Sequence, residues 1–546
     1  MSKIEEKLID VIKTSLKNKI QDVDKSVYSN IYLENPKDKK FGDYSTNIAM
    51  RLTKIIKKPP FQIASLLIEE INIFIKKARL EALIEKVELA KPGFINFYIT
   101  KDAAKEELLE IISKKDKYGR LDFGKGEKIQ IEFVSANPTG PLTIAHGRQA
   151  AVGDSLAKIL EHCDYKVVRE YYINDEGVQM NTLAKSIRAR FENSTFPENG
   201  YKGHYITETA SNLRLKVGDR NDLTDEDFFK FAYDELMSSI KKDLEDFGVE
   251  FDVWYSQKKL MSSGKVEKAL KALEEKGHIY KQDGATWFRS TSLGDDKDRV
   301  VIKSDGTYTY LAPDIAYHRD KFEKGYSKVI NIWGPDHHGY VNRIKAACEA
   351  LGFNKENLSI LICQLVTLFR DKKPVRMSTR EGEFITLREV IDEVGKDAGR
   401  FFFIMRKTDS HLDFDLELAK SKSMDNPVYY IQYAHARISS VLSFSGNKKP
   451  DLKSLSSLNE EGEIDLIKKL MQYPKAIESS ARNLEPYTLL SYLQELSSLF
   501  HSYYDSHRIV TEDTSLTSAR ITLVTALKSV ILSGLCLLGV SVPEKM

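Results

Sequence analysis

A tight turn, Asn137-Pro138-Thr139-Gly140-Pro141, separates a strand-like run from Lys128 to Val134 from a helix-forming run that carries His146 and continues to Leu160. Helices begin with unsatisfied N–H groups and a positive dipole end, so such a turn offers a phosphate site around Thr143, His146 and Gly147. An imidazole there can hydrogen-bond charge growing on a transferring phosphoryl group. The same spacing also suits a plain strand-to-helix connection with a surface histidine. A second stretch, Arg376-Met377-Ser378-Thr379-Arg380-Glu381-Gly382, follows Lys372, Lys373 and Pro374. Its cations and Gly382 suit a mobile clamp on phosphates, or an ordinary basic loop. Two carboxylates, Glu132 at a strand end and Asp314 in Tyr310-Leu311-Ala312-Pro313-Asp314, are candidates for gripping a planar cation. Taken singly, each is more often a solvated or capping charge. Asp336, His337 and His338 in Trp333–Tyr340 could ligate a metal, but no second cluster completes such a site.

The elements around these residues divide a chain of 546 residues, too long for one core, into three or four expected domains. Net charge is +2 with 30% charged residues, so any nucleic-acid surface is a local patch. Four separated cysteines without a CxxC pair argue against zinc and against a disulfide framework, and suit a reducing cytoplasm. Glu5, Glu6 and Asp10 interrupt any signal-like N-terminus. The most apolar run, Val530 to Val542, is broken by Ser533, Gly534 and Gly539 and is shorter than the roughly 18–20 residues of a membrane span.

Ile4, Leu8, Ile12, Leu16 and Ile20 mark an amphipathic opening helix. Lys91 to Tyr98 reads as turn then strand, and Lys117 to Gly126 as a linker. Strand, turn and helix from Lys128 to Leu160 open a βαβ unit. A charged, helix-rich stretch from Met180 to Lys276 reads as an insertion. Strands are expected again at Val300–Ile302, Tyr308–Leu311 and Lys328–Ile332. From Pro427 onward the pattern is helical, with a polar break near Ser443–Glu463.

The stretch Ser135 to Arg148 resembles the ATP-binding His-x-Gly-His region of class I aminoacyl-tRNA synthetases, in the arginine-specific form that begins SANPTGPL. Thr143 replaces the first histidine and Ala145 the glycine. The Arg376–Gly382 loop is similar to that class's Lys-Met-Ser-Lys-Ser loop, with Arg376 for the first lysine and Thr379 for the second; Arg380 or Lys373 is left to supply the missing charge. Tyr310 to Asp320 looks like the family's YLTRDIAYHRDKF, and Trp333 to Tyr340 like its GADHHGY. Tyr172–Gln179 is a further family segment beside the site. Asn426 to Arg437 and the ending LLGVSVPEKM match its helical anticodon-binding domain, and Gly93–Phe97 its N-terminal domain. The resemblance runs from about Gly42 to Met546.

This resemblance implies a multidomain α/β protein. Residues 1–118 would form an α+β N-terminal domain that contacts tRNA. Residues 119–370 would form a Rossmann-like, parallel-sheet nucleotide-binding catalytic domain with a helical insertion at about 180–290. Residues 371–425 would hold the ATP loop, and 426–546 an all-α anticodon-binding domain. The implied activity is formation of arginyl-adenylate from L-arginine and ATP, then transfer to the terminal ribose of arginine tRNA. Catalytic roles fall to His146, Arg376 and Arg380. ATP contacts fall to Asn137, Pro138, Thr143, His146, Gly147, Asp336, His338, Met377 and Ser378. Glu132, Ser135, Asn137, Tyr310 and Asp314 would hold arginine; Phe94, Asn96, Tyr429, Gln432, Tyr433, His435 and Arg437 would meet tRNA. Mg²⁺ is expected with ATP, zinc is not, and the chain is expected to be a cytoplasmic monomer away from membranes. A sibling synthetase or nucleotidyltransferase, and a non-enzymatic RNA-binding paralogue, are the rival readings.

Overall fold

The computed structural model describes residues 3–20, 27–28, 31–36, 38–218, 220, 222–375, 384–446 and 448–546. Arg376, Met377, Ser378 and Arg380 lie outside the described residues.

The opening helix, Lys3–Lys19, buries Ile4, Leu8, Ile12 and Leu16 along one stripe. With the helices Ile48–Ile56 and Pro60–Lys77 it covers a three-stranded antiparallel sheet in which Phe94–Ile99 lies between Tyr44–Thr46 and Ile84–Ala90. The Lys101–Lys114 helix, whose Thr100 cap accepts from the Ala103 N–H, leads into the central part.

There a five-stranded sheet has the spatial order Leu358–Ile362, Lys328–Trp333, Lys128–Glu132, Lys166–Ile173, Val253–Ser256. All four pairings are parallel. In chain order this is 5-4-1-2-3, a doubly wound arrangement whose switch point lies between Lys128–Glu132 and Lys328–Trp333. Both of these strands are buried on both faces along most of their length, as parallel strands covered by helices must be.

Three expectations shift. The Tyr308–Leu311 segment is not a strand: Tyr308 makes one bridge to Ile302, and Leu311 opens the Leu311–Glu323 helix. Its aromatic, β-branched composition favours extension, but Asp314, His318 and Lys321 share a helical face, and that period prevails. Within the expected insertion, helices run over Val178–Phe191, His204–Val217, Asp225–Asp246, Gln257–Ser262 and Lys265–Glu275. Between the third and fourth of these, Val253–Ser256 joins the main sheet as an edge strand, and past the last, 279–302 forms a separate antiparallel sheet. The first part of the Val530–Val542 run, to Leu537, is the end of a longer helix, Thr514–Leu537, which by length and apolarity could cross a membrane; 67% of its most apolar window is instead buried inside the protein. It packs against the Pro427–Phe444, Glu461–Met471 and Tyr487–Ser506 helices of the C-terminal part.

A small sheet carries the second motif. Val366–Arg370 pairs with Lys373–Pro374 on one side and, in parallel, with Leu412–Asp415 on the other. Past the loop, Thr386 caps the Leu387–Phe403 helix in a box with Glu389. Arg400 on this helix is wholly buried. Its guanidinium pairs with Asp154 on the Ile144–His162 helix and donates to the carbonyls of Leu538 (3.2 Å), Phe247 and Gly248 (both 3.3 Å). The C-terminal part, the end of the insertion and both motif helices therefore meet at one cation. Asp154→Ala, which leaves that cation unpaired, is expected to cost about 3–5 kcal/mol, read from the urea unfolding midpoint; a loss under about 1 kcal/mol would show the pair to be water-screened.

Candidate active site at the sheet switch point

Ligands of open α/β sheets bind beyond the carboxyl ends of the strands, at the switch point. A cavity of about 530 Å³ lies there. One wall is the turn after the first strand. Val134 (φ +68°) and Ser135 (φ +39°) both adopt left-handed backbone, uncommon for any residue with a Cβ and strained for a β-branched one. The bend turns Ser135 inward, where its hydroxyl accepts from the Tyr172 N–H at 3.1 Å and donates to Glu132 at 3.0 Å.

Glu132 is buried and ion-paired with Lys321, whose side chain is fully buried. Lys321 also donates to Asn331 Oδ1 at 2.9 Å; Asn331 Nδ2 donates to His318 Nε2 at 2.8 Å, and His318 Nδ1 to the Asp314 carbonyl at 2.8 Å. Burial pulls His318 down to about 4, so the ring is neutral and can accept at one nitrogen while donating at the other. Burial would raise Glu132, but Lys321 more than offsets it and keeps the carboxylate ionised. Asp314 differs. No cation lies within ion-pair distance of its carboxylate among the described residues, and burial, reinforced by the charge of Glu132, pushes it up to about 7. The pocket thus has one neutralised carboxylate and one waiting for a partner.

The opposite wall is the start of the Ile144–His162 helix. His146 at its third position accepts at Nδ1 from the Thr143 N–H, 3.1 Å away, with the Thr143 hydroxyl at 3.2 Å. This is the return half of a capping box. Burial pulls His146 down to about 4 against the pull of Asp336, so the ring is neutral at physiological pH. With Nδ1 accepting, the proton sits on Nε2, and the imidazole is a hydrogen-bond donor with no base to spare. The segment that follows the second motif is stitched to this helix start: Ile144 donates to Ile385 at 3.3 Å and Leu387 to Leu142 at 2.7 Å.

The cavity brings together Glu132, Ser135, Asn137, His146, Tyr310, Asp314 and Asp336. Asn137 donates to Gln179 at 2.8 Å, and Tyr310 is 74% exposed at the rim. Other expected contacts sit elsewhere. Pro138 is buried beside the turn, Thr143 contributes its backbone and hydroxyl to His146, and His338 is exposed outside the cavity lining, where its neighbour His337 lines instead. Gly147 faces the Leu387–Phe403 helix, and an added Cβ would lie 2.8 Å from Leu387 and 2.9 Å from Phe403, so the position demands glycine for packing. Three residues expected at an RNA surface are instead internal. Asn96, 2% exposed, accepts from Ser45 across the sheet at 2.7 Å. Gln432 donates to the Ser541 carbonyl at 2.9 Å, and His435, fully buried, bonds the Pro543 carbonyl at 3.0 Å. Both face the chain end because their helix packs on that side. Phe94 is half-buried. Tyr429 and Tyr433 stack at 5.8 Å, and the Arg437 guanidinium lies 5.4 Å from the Tyr433 ring and 4.0 Å from Tyr504, a half-exposed ladder at i, i+4, i+8. The Lys321–Asn331–His318 chain was not among the expected residues, although His318 and Lys321 stand four and seven residues after Asp314 on one helical face.

Three family models match in succession: the arginyl tRNA synthetase N-terminal domain over 10–99, the catalytic domain of class I (R) tRNA synthetases over 107–412, and the DALR anticodon-binding domain over 431–546. A Bacillus licheniformis protein named arginine–tRNA ligase is 46% identical over 565 residues, covering 100% of each chain. One of the same name from Carboxydothermus hydrogenoformans is 48% identical over 529 residues, 94% of each. Among solved structures, a putative arginyl-tRNA synthetase of Campylobacter jejuni superimposes with a TM-score of 0.76 at 36% identity, over 82% of this chain and 100% of that one. The Thermus thermophilus arginyl-tRNA synthetase shares the fold, with a TM-score of 0.79 at 22% identity, over 99% of this chain and 100% of that one. With full-length relatives at this identity and a matched catalytic domain, the chain belongs to the arginyl-tRNA synthetase family.

Proposed function

We propose that the crevice seats L-arginine against Asp314 and ATP against the His146 helix start, so that the arginine carboxylate faces the α-phosphate. The chain is an arginine–tRNA ligase: it forms arginyl-adenylate from arginine and ATP, releasing pyrophosphate, and transfers the arginyl group to arginine tRNA. The observation that carries the site assignment is the half-buried Asp314 carboxylate, which has no ion-pair partner among the described residues and lines the same cavity as the neutral His146 donor. A guanidinium supplies the charge that Asp314 lacks, in a geometry that suits two parallel hydrogen bonds. Lys321 holds Glu132 as a fixed negative neighbour, and Ser135 sets its orientation. Asn137 and Tyr310 line the space left for the α-amino and carboxylate groups.

In the activation step the carboxylate oxygen attacks the α-phosphorus, the P–O bond to pyrophosphate breaks, and no enzyme atom bonds to substrate. Catalysis is therefore positioning plus stabilisation of phosphoryl charge. The Nε2–H of His146 and the helix N–H groups act on that charge, with Arg376 and Arg380 as the cations of the loop tethered at Leu142–Ile144. Mg²⁺ in this reading is carried chiefly by the ATP phosphates, where it neutralises charge; Asp336 is the carboxylate on that wall able to share it. The ribose of tRNA then displaces AMP. We take residues 426–546 to read the anticodon region, with the Tyr429–Tyr433–Arg437 ladder stacking on unpaired bases, residues 1–118 to meet the tRNA body at Phe94, and the monomer to suffice.

Arginine-dependent ATP–pyrophosphate exchange, run with and without cognate tRNA, tests this, and we expect exchange when tRNA is present. No exchange and no charging under either condition would favour the RNA-binding paralogue. His146→Ala is expected to lower exchange by about 100–1,000-fold; full activity in that variant would remove His146 from the mechanism. Because free Asp314 titrates near 7 and a bound guanidinium favours its carboxylate, arginine binding expels a proton below neutrality. Arginine affinity should therefore be level above pH 7 and fall about tenfold per pH unit well below it, a trend calorimetry can follow; a flat profile between pH 5.5 and 8 would sink the assignment. Tyr433→Ala should weaken tRNA binding by about 1–3 kcal/mol without changing the arginine KM, and an unaltered tRNA affinity would remove the ladder from the interface.

A further inference from the structure

Two residues beyond His146, Arg148 is wholly buried, and among the described residues its guanidinium bonds only main-chain carbonyls. One terminal nitrogen donates to Gln364 and Ser410, both at 2.8 Å, with Leu365 at 3.4 Å; the other donates to Lys407 at 2.8 Å. Gln364 and Leu365 immediately precede the Val366–Arg370 strand, and Ser410 stands just before Leu412–Asp415. Those two strands pair with each other, and the first leads into the ATP loop. Arg148 therefore clasps the base of the loop-bearing sheet to the helix that carries His146.

Between the carbonyls of Lys407 and Ser410 lies Thr408, and it faces the C-terminal helices. Its N–H donates to one Glu485 oxygen at 3.0 Å and its hydroxyl to the other at 3.3 Å, while its own carbonyl accepts from the Gln364 N–H at 3.0 Å. Glu485 sits in the turn between the Tyr473–Arg482 and Tyr487–Ser506 helices. Together with Asp409, it is also an acidic charge acting on Arg148, which has no carboxylate in direct contact.

We propose that Arg148 and Glu485 are positioning residues for ATP: the 407–410 strap, held on one side by Arg148 and on the other by Glu485, fixes the spacing between His146 and the strands that lead into the ATP loop, and lets the C-terminal helices act on that spacing. Neither residue touches the arginine pocket, so their effect falls on ATP. The inference rests on ATP lying at His146, as proposed above.

The test is ATP–pyrophosphate exchange on the full chain with saturating cognate tRNA, expressed per active site by titrating adenylate formation. Glu485→Ala should raise the KM for ATP about fivefold or more and leave the KM for arginine within twofold, and adding Arg148→Lys should then make little further difference, because both act through one strap. Glu485→Gln, which keeps an acceptor for the Thr408 N–H, should recover most of the loss. A merely structural role would lower the melting temperature and the active fraction with both KM values per site unchanged; that result, or parallel loss of arginine and ATP affinity, or additive effects in the double variant, overturns the proposal. Should Arg148→Lys fail to fold, the contrast between Glu485→Ala and Glu485→Gln still decides. Failure of the underlying ATP assignment shows separately, as a fully active His146→Ala.

Discussion

Everything in the catalytic part is arranged around the buried pair of Arg400 and Asp154. A guanidinium at zero exposure is tolerable only when a carboxylate and several carbonyls replace its water. Meeting that demand draws the Ile144–His162 helix, the Leu387–Phe403 helix, the end of the insertion and the Leu538 carbonyl to a single point. Gly539 follows from it: at φ +68° an added Cβ would lie 2.2 Å from an Arg400 nitrogen. The Ile144–His162 and Leu387–Phe403 helices, far apart in the chain, are thereby joined.

Within that frame the pocket separates charge by environment. Glu132 and Asp314 face the same cavity, yet Lys321 keeps the first ionised while the second is pushed up to about 7 by burial and by its neighbour. A pocket with two free carboxylates would repel itself before substrate arrived. One fixed pair and one vacancy give a site with a single cationic preference. On the assignment proposed above, rejecting an uncharged amino acid needs no second step, since a side chain that fails to pair leaves the Asp314 carboxylate unsatisfied. At Thr143, which stands where the family usually has its first histidine, a backbone N–H and a hydroxyl hold His146 Nδ1.

Sequence pattern alone carried the amphipathic opening helix, the strand–turn–helix that opens the sheet, and the helical C-terminal part, because each depends on local periodicity. The pocket acids and His146 were legible as chemistry at element ends. What pattern could not carry is facing. Asn96, Gln432 and His435 are polar residues in segments that looked RNA-facing, but each is turned inward to bond a partner far along the chain: Ser45, Ser541 and Pro543. Gly147, expected as a nucleotide contact, packs closely against the Leu387–Phe403 helix, a need that the local pattern does not reveal. Lys321 was invisible as a site residue because its partners, Glu132 and Asn331, lie on two different strands. The Tyr308–Leu311 run failed for the opposite reason, where local composition favoured a strand and the longer helical period prevailed.

The clasp at Arg148 reads only peptide oxygens, and every amino acid presents the same one. Side chains at Gln364, Leu365, Lys407 and Ser410 are thus free to drift without loosening it, whereas the guanidinium itself has no substitute: lysine lacks the fork needed to span separate segments. Tolerance to mutation along the strap should accordingly be lopsided, permissive at the acceptors and intolerant at the donor.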